Sequence, residues 1–443
     1  MNAPDRAADP AARFIGPGAW RHGLSYGLLG LPLAFVALPL YVILPNHYAR
    51  EFAAPLGALG GVLLGARLVD AVLDPIIGRW CDRLAARDQR AVLAVAALAA
   101  VALALGLWGL LFPPTAVRDS TLALLTWAGL VMAFTYTAFS IVSVAHQAWG
   151  ARLGGSEAQR SRVVAWREAL ALVGVLTAAV LPTAAGLGAT VIAFAVLLAL
   201  GMLAWSRSLV PPPSPSLSDA APRVSPLRQP AFRRLLAVFV INGTASAVPA
   251  TLVLFFVQDR LQAPASVEPA FLGVYFLCAA LSIPLWVRLV GRWGLAPTWM
   301  AGMALAVAVF VWAATLGAGD VVPFLVVCAL SGIALGTDLT LPSALLAGLI
   351  GQLGERGRGE GAYFGWWNFA NKLNLALAAG LALPLLGWFG YSPGARDPEA
   401  LQTLTIAYCL LPCALKLLAA GALYTLVIRP SAAPAAPSPH TTT

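Results

Sequence analysis

The stretch "VLAVAALAAVALALGLWGLLF" (residues 92–112) has no charged or hydrogen-bonding polar side chain apart from its tryptophan. About 20 apolar residues carry an α-helix across the hydrocarbon core of a bilayer. The whole chain has the same character, with 60% hydrophobic and 11% charged residues over 443 positions and a mean hydropathy of +0.81. A water-soluble domain carries about 25% charged residues. Because helices satisfy their own backbone hydrogen bonds in lipid, this composition predicts an all-α membrane protein.

Similar apolar runs recur along the chain and predict twelve transmembrane helices in two six-helix halves. The segment between the halves is rich in proline and serine, which is typical of a linker. The predicted regions are an N-terminal tail (1–21), a first bundle (22–206), the linker (207–232), a second bundle (233–428) and a disordered tail (429–443). The predicted helices are 22–45, 55–78, 91–112, 120–149, 163–184, 187–206, 233–257, 269–290, 297–317, 321–350, 361–388 and 403–428.

The arginines are distributed unevenly between the two sides of this arrangement. Loops and tails on the side of the N-terminus hold twenty arginines, and those on the other side hold four. Cytoplasmic loops of membrane proteins are enriched in basic residues. We therefore expect an integral protein of a bacterial inner (plasma) membrane with both termini in the cytoplasm. The same asymmetry explains the net charge of +9 without nucleic acid as a partner.

Eight charged residues fall inside the predicted helices and away from their ends, where each costs about 2.5–3.5 kcal/mol on insertion scales and marks a functional position by default. The sequence leaves the roles of Asp338 and Lys416 open. It also leaves open the role of His146, a titratable residue near the end of predicted helix 4. The eight are Arg67, Asp70, Asp74, Arg167, Glu168, Asp338, Lys372 and Lys416.

Three of these charges lie in "GARLVDAVLDPIIGRWCDR" (65–83), in predicted helix 2. Asp70 and Asp74 are four residues apart, so their carboxylates share one helix face. Two buried carboxylates one turn apart repel each other, which favours a shared proton or a bound Na⁺ between them. Arg67 lies on the same stripe and is predicted to take part in coupling. The alternative is a structural cluster without bound cation.

Lys372 lies about eleven residues into predicted helix 11, which places it about 16 Å deep at 1.5 Å per residue. Its expected partners are the carboxylates of helix 2, and its expected role is coupling. Asn368 and Asn371 flank it, as is typical of a polar cavity, and they are candidate solute ligands. The alternative is a purely structural ion pair.

Helix 5 opens with Arg167 and Glu168, of which we expect Arg167 to face the cavity and contact solute. An interfacial pair at the start of a helix is the alternative interpretation. Aromatic side chains near the cavity can stack on a solute or anchor helices at the interface. The candidates for stacking are Tyr26, Tyr136 and Trp367.

Two motifs resemble known transporters. Gly78-x-x-x-Asp82-Arg83-x-x-x-Arg87 resembles the loop 2–3 signature of the major facilitator superfamily, so the predicted fold is the major facilitator fold. "ARLVDAVLDPIIG" (66–78), with the arginine that opens helix 5 and "NKL" (371–373), resembles the glycoside–pentoside–hexuronide:cation symporter family, which includes melibiose permease.

The family resemblance implies roles for individual residues. It implies that Asp70 and Asp74 bind Na⁺ or H⁺, that the Thr137 hydroxyl completes this site, that Lys372 is linked to it, and that Arg167 lies beside the solute. The acids that hold sugar hydroxyls in melibiose-type members are absent from helices 1 and 4, where this chain has Leu31–Pro32 and Ser140. Ser140 is therefore a candidate solute ligand, and the solute is expected to be sugar-derived, anionic or amphipathic rather than a galactoside.

The sequence thus predicts a cation-coupled secondary transporter, driven by H⁺ or Na⁺, that moves a small solute. The candidate solutes are sugars, sugar derivatives and anions. We expect a monomer that needs no cofactor besides the coupling ion. The alternatives within transport are a proton-driven exporter and a carrier of lysolipids or other amphipathic solutes. An integral membrane enzyme is disfavoured because the chain has no GxSxG or HExxH motif and no acids clustered at an interface.

Overall fold

The computed structural model describes residues 10–213, 225–264, 266–392 and 394–432, and within these ranges the chain forms helices and no strands. Twelve long helices confirm the predicted all-α membrane architecture. They are α1 (Ala19–Tyr48), α2 (Leu56–Arg87), α3 (Gln89–Leu111), α4 (Thr121–Arg152), α5 and α6 (together Glu157–Ser206), α7 (Pro230–Arg260), α8 (Glu268–Trp293), α9 (Leu295–Ala313), α10 (Val321–Gln352), α11 (Glu360–Trp388) and α12 (Pro398–Ile428).

Length and hydropathy alone identify nine membrane-spanning helices among the described residues. One of them, Glu157–Ser206, has 50 residues and would be about 75 Å long if straight, more than twice the hydrocarbon thickness. Gly186 breaks it with φ 83° and ψ 170°, a conformation open to glycine, and Pro182 precedes the break. The stretch therefore forms two antiparallel crossings, α5 and α6. The charged helices α2 and α11 complete the twelve.

Polar residues stop and start the helices at the membrane surfaces. Asp88 lies between α2 and α3, and its carboxylate caps α3 by accepting a hydrogen bond from the Arg90 amide. Ser156 forms a capping box with Gln159 at the start of α5. Because such caps satisfy amides that the helix leaves free, α5 begins at Glu157, six residues before the predicted start of the fifth span.

Each half of the chain has an aromatic core of its own. In the first half, the rings of Phe35 and Phe194 stack with centroids 5.9 Å apart. In the second half, Phe256 and Tyr408 stack at 4.3 Å. Residues 207–213 and 225–229 lie between α6 and α7 at the ends of the predicted linker, and its residues 214–224 lie outside the described residues. The predicted disordered tail also lies outside them from residue 433 onward.

Helices α2 and α11 form the closest contact between the halves, and glycines make it possible. A Cβ on Gly78 would collide with the backbone of Gly361, and a Cβ on Gly365 would collide with the backbone of Asp74. Small residues allow helix backbones to approach in this way. The close crossing is what brings a side chain two turns further along α11, Lys372, next to the carboxylates of α2.

Candidate cation and solute site

Lys372 of α11 lies between the two carboxylates of α2. Its Nζ is 2.7 Å from Asp70 Oδ2 and 2.7 Å from Asp74 Oδ2. Both acids are buried, with exposed fractions of 2% and 0%. One ammonium thus faces two carboxylates, and the triad Asp70–Asp74–Lys372 carries one net negative charge when all three groups are ionised. This ion pair joins the two halves of the protein.

The hydrogen bonding of the triad is incomplete at Asp74. Although Asp74 Oδ2 lies within ion-pair distance of Lys372, neither oxygen of Asp74 has a hydrogen-bond partner of good geometry among the described residues. A buried carboxylate without donors is costly. A proton on Asp74, or a Na⁺ held by the oxygens of Asp70, Asp74 and Ser140, would lower that cost.

The hydroxyl group of α4 that contacts the triad is that of Ser140, not that of Thr137. Ser140 Oγ donates a hydrogen bond to Asp70 Oδ1 at 2.9 Å and accepts one from Lys372 Nζ at 3.1 Å. Thr137 Oγ1 instead donates to the carbonyl of Ala133 in its own helix at 2.8 Å. The predicted solute ligand Ser140 is therefore part of the triad's surroundings, whereas the hydroxyl of Thr137 is bonded to the backbone of its own helix.

Arg67 does not join the carboxylates, although it shares their helix stripe. Its guanidinium lies over the ring of Tyr41 in α1, with the central carbon 4.7 Å from the ring centroid. The Tyr41 ring in turn lies 5.9 Å from that of Tyr136 in α4. Asp70 instead pairs with Lys372. Sequence spacing placed the arginine on the correct face but did not identify its neighbours.

Arg167 and Glu168 form a local ion pair in α5. Arg167 Nη2 lies 2.6 Å from Glu168 Oε1, and Arg167 Nε donates to the same oxygen at 2.9 Å.

Tyr26 and His146 contact each other through two hydrogen bonds. Tyr26 is only 1% exposed and its hydroxyl donates to the carbonyl of His146 at 3.1 Å, while His146 Nε2 lies 2.8 Å from the carbonyl of Tyr26. Tyr26 and His146 thus tie α1 to α4, and neither side chain is left free to stack on a solute in this conformation.

The remaining predicted solute ligands are scattered. Trp367 stacks on Phe239 of α7 at 3.8 Å and is 4% exposed, so it belongs to the core of the second half. Tyr136 is buried as well, at 1%. Asn368 is half-buried, and Asn371, next to the triad lysine, is exposed.

A second buried ion pair lies within the second half, and sequence reasoning did not assign it. Lys416 Nζ of α12 lies 2.5 Å from Asp338 Oδ2 of α10 and donates to Asn242 Oδ1 at 2.9 Å. Asp338 also accepts hydrogen bonds from Asn242, Trp299 and Ser246, at 2.9, 2.8 and 3.0 Å. The sequence signal for this pair was the presence of two opposite charges, Asp338 and Lys416, inside predicted helices. Lys416 is only 6% exposed, so its side chain does not extend along the lipid-facing surface.

This second pair lies at one end of a largely apolar cavity of about 280 Å³. The cavity is lined by five helices of the second half, α7, α8, α9, α10 and α12, and aromatic side chains form much of its wall. Those aromatic residues are Phe271, Tyr275, Phe276, Phe310 and Tyr408.

Hydrogen bonds and ion pairs join the two halves at one end of the bundle. This end holds the loops 87–89, 152–157, 293–295 and 352–360 and is here called the linker face. Asp82 Oδ1 and Oδ2 accept hydrogen bonds from the first amides of α11, Gly361 and Ala362, at 2.7 and 2.8 Å. Asp82 is also paired with Arg152 at 2.9 Å, and Arg152 reaches Glu360 at 3.1 Å. A carboxylate at a helix N-terminus is stabilised by the helix dipole.

A second contact of the same kind lies nearby. Glu157 at the start of α5 accepts a hydrogen bond from the Leu295 amide at the start of α9, at 2.7 Å. At the opposite face, the hydrogen bonds that the described loop residues form remain within one half. Arg396 donates to the carbonyl of Asp259, and Arg118 to that of Pro113. The conformation is therefore held closed at the linker face.

Twelve helices in two latched halves, with a cross-half ion pair in mid-membrane, define a membrane transporter rather than an enzyme. A family model described as MFS/sugar transport protein matches residues 25–429. The chain therefore belongs to this family of the major facilitator superfamily, in agreement with the resemblance to melibiose-permease-like transporters. A comparison with curated protein sequences finds no match.

Solved structures of several transporters share the fold. A bacterial homologue of the iron transporter ferroportin, in an outward-facing state, superimposes with a TM-score of 0.70 at 16% identity and covers 91% of this chain and 99% of its own. The E. coli fucose:proton symporter FucP gives 0.60 at 16%, with 89% and 98% covered. The human organic anion transporter MFSD10 (TETRAN) gives 0.61 at 18%, with 92% and 100% covered. At these identities the likeness shows the fold.

Proposed function

We propose that this protein is a secondary active transporter that couples solute movement to H⁺ or Na⁺ at the Asp70–Asp74–Lys372 triad. The observation that carries the proposal is the position of Lys372, 2.7 Å from each of two buried carboxylates on the other half of the protein. An entering cation competes with the lysine for the same oxygens. Cation binding therefore weakens an ion pair that holds α2 to α11.

Alternating access follows from this competition. Without cation, Lys372 and the linker-face contacts of Asp82 together hold the halves in one relative position. With cation bound, the lysine loses part of its attraction to α2, and the free energy of the closed linker face rises relative to the other state. A ligand shifts such an equilibrium only through its different affinity for the two states. The triad supplies that difference because its geometry spans both halves.

The proposed solute is a small sugar, sugar derivative or organic anion. The cavity in the second half supports a second candidate, an amphipathic solute such as a lysolipid, because its walls are mainly apolar and one end is polar. Proton-driven export remains the alternative direction, since the same cavity serves import and export. We further propose a monomer in a bacterial inner membrane, with cytoplasmic termini at the linker face, no cofactor and no nucleic-acid partner.

The test is the cation response of the purified full-length protein. Its thermal unfolding midpoint in detergent is measured in NaCl against choline chloride, and across pH 5 to 8. Binding to the folded state alone adds about 2.7 kcal/mol of stability at 100 times the dissociation constant. We expect Asp74→Asn to lose the cation response and the exposed-loop variant Asp119→Asn to keep it. A full response in Asp74→Asn would contradict the proposal.

A further inference from the structure

Of the eight charged residues that lie inside the predicted helices and away from their ends, Arg67 is the one that forms no ion pair with any described residue. The other seven are arranged in two neutral pairs and the triad with its single net negative charge. The pairs are Arg167–Glu168 and Asp338–Lys416, and the triad is Asp70–Asp74–Lys372.

The position of Arg67 indicates that it faces an aqueous cavity. It is exposed, and a guanidinium exposed to hydrocarbon is strongly unfavourable. It lies three and seven residues before Asp70 and Asp74 on one helix stripe, so it continues the face that carries the triad. Because α2 runs from the opposite face to the linker face, Arg67 lies about 4.5 Å further from the closed end than Asp70.

The neighbours of Arg67 orient its side chain without neutralising it. Its guanidinium carbon lies 4.7 Å from the centroid of the Tyr41 ring. A cation over an aromatic face is attracted by the ring but keeps its full charge. A planar guanidinium held in this way presents the hydrogen-bond donors that bind a carboxylate in a bidentate manner.

We propose that Arg67 binds an anionic group of the transported solute, and that this anion balances the charge of the coupling cation. The inference rests on the proposed function and specifies its substrate class as organic anions, of which a carboxylate is the simplest. The empty site is neutral, since Arg67 offsets the triad. Cation alone leaves one positive charge, and anion alone leaves one negative charge. Only the two ligands together restore neutrality.

Charge balance also gives the mechanism of coupling. An unbalanced charge in a partly dehydrated site is unfavourable, so each ligand raises the affinity for the other. The two effects must be equal by linkage, and couplings of this kind are about 5- to 150-fold. A neutral solute gains no such advantage from the cation at Arg67.

The experiment compares two probes of similar size and different charge, D-glucuronate and D-glucose, with acetate as the smallest carboxylate. Thermal midpoints of the purified full-length protein are titrated with each probe, at constant chloride, in Na⁺ against choline and at pH 5.5 against pH 8. We expect glucuronate to stabilise the protein with at least 5-fold higher apparent affinity when the coupling cation is present. D-Glucose at the same concentrations should give no cation-dependent shift.

Variants separate this inference from the proposed function. Arg67→Gln should lose the glucuronate response and keep the cation response, while Arg67→Lys should keep the cation response and part of the glucuronate response. Arg21→Gln is the matched control. The guanidinium of Arg21 also lies over an aromatic ring, that of Trp20, at 5.4 Å, but Arg21 is not on the face of α2 that carries the triad. Glucuronate binding that survives in Arg67→Gln overturns the inference, as does equal stabilisation by D-glucose or no response to either carboxylate.

The variant Asp74→Asn distinguishes the two possible failures. If it loses the cation response while Arg67→Gln still binds glucuronate, the coupling proposal stands and the anion site at Arg67 is wrong. If Asp74→Asn keeps the full cation response, the proposed function itself fails. When both hold, Asp74→Asn should bind glucuronate without any dependence on cation, because its triad is already neutral.

Discussion

Removing either partner of the buried pair Asp338–Lys416 should destabilise the second half, and by unequal amounts. In Asp338→Asn, the Lys416 ammonium keeps one hydrogen bond, to Asn242, and loses its counter-ion. In Lys416→Met, the Asp338 carboxylate keeps three donors, Asn242, Trp299 and Ser246. Leaving a buried charge without its partner costs about 3–5 kcal/mol. We expect Asp338→Asn to reach this range and Lys416→Met to cost less.

The assay is thermal unfolding of the purified protein in detergent at a fixed scan rate, since large proteins often unfold irreversibly. For a unit of 150–250 residues, 1 kcal/mol shifts the midpoint by about 2–4 °C, so Asp338→Asn should lower it by about 6–20 °C. The double variant Asp338→Asn/Lys416→Met has no unpaired charge and should be more stable than Asp338→Asn alone. Additive losses in the double variant, or a drop of under about 2 °C in Asp338→Asn, would refute the ion-pair reasoning.

Two further predictions concern contacts between the halves. Asp82→Asn removes the charge that caps α11. Because a hydrogen bond to a charged group contributes about 1.5–3 kcal/mol, the linker face should open at least 10-fold more often. Peptide-resolved alkylation of the buried Cys81 should then be faster by that factor, and it should be unchanged in the loop variant Asp119→Asn. Gly78→Val places side-chain atoms against the Gly361 backbone and should lower stability by about 1–3 kcal/mol, whereas a wild-type midpoint would mean that the close crossing of α2 and α11 is not required.

Part of the candidate site follows from the sequence. The spacing of Asp70 and Asp74 placed both carboxylates on one helix face, and the depth of Lys372 in its span pointed to them as partners. Both inferences need only the helix repeat and the cost of charge in lipid, which are local properties. The choice between Thr137 and Ser140 could not be made in this way, because it depends on the rotation of α4 about its axis relative to α2.

The expectation that Arg67 belongs with the carboxylates shows the same limit. Its stripe on α2 follows from the helix repeat, but Tyr41 lies on another helix, and the ring that holds the guanidinium is chosen by packing. The pairing of Asp338 with Lys416 is similar. The sequence marks both as expensive charges, and only the arrangement of α10 against α12 makes them partners.

By itself, the amino-acid sequence determined the class of protein, the number of helices and the identity of the charges that lie in the membrane. These depend on hydropathy summed along one segment at a time. The tertiary structure decided which charges neutralise each other, which hydroxyl group joins the triad and which arginine is left unbalanced. Such pairings depend on how helices far apart in the chain cross and rotate, since a distance of a few ångströms separates an ion pair from an exposed charge.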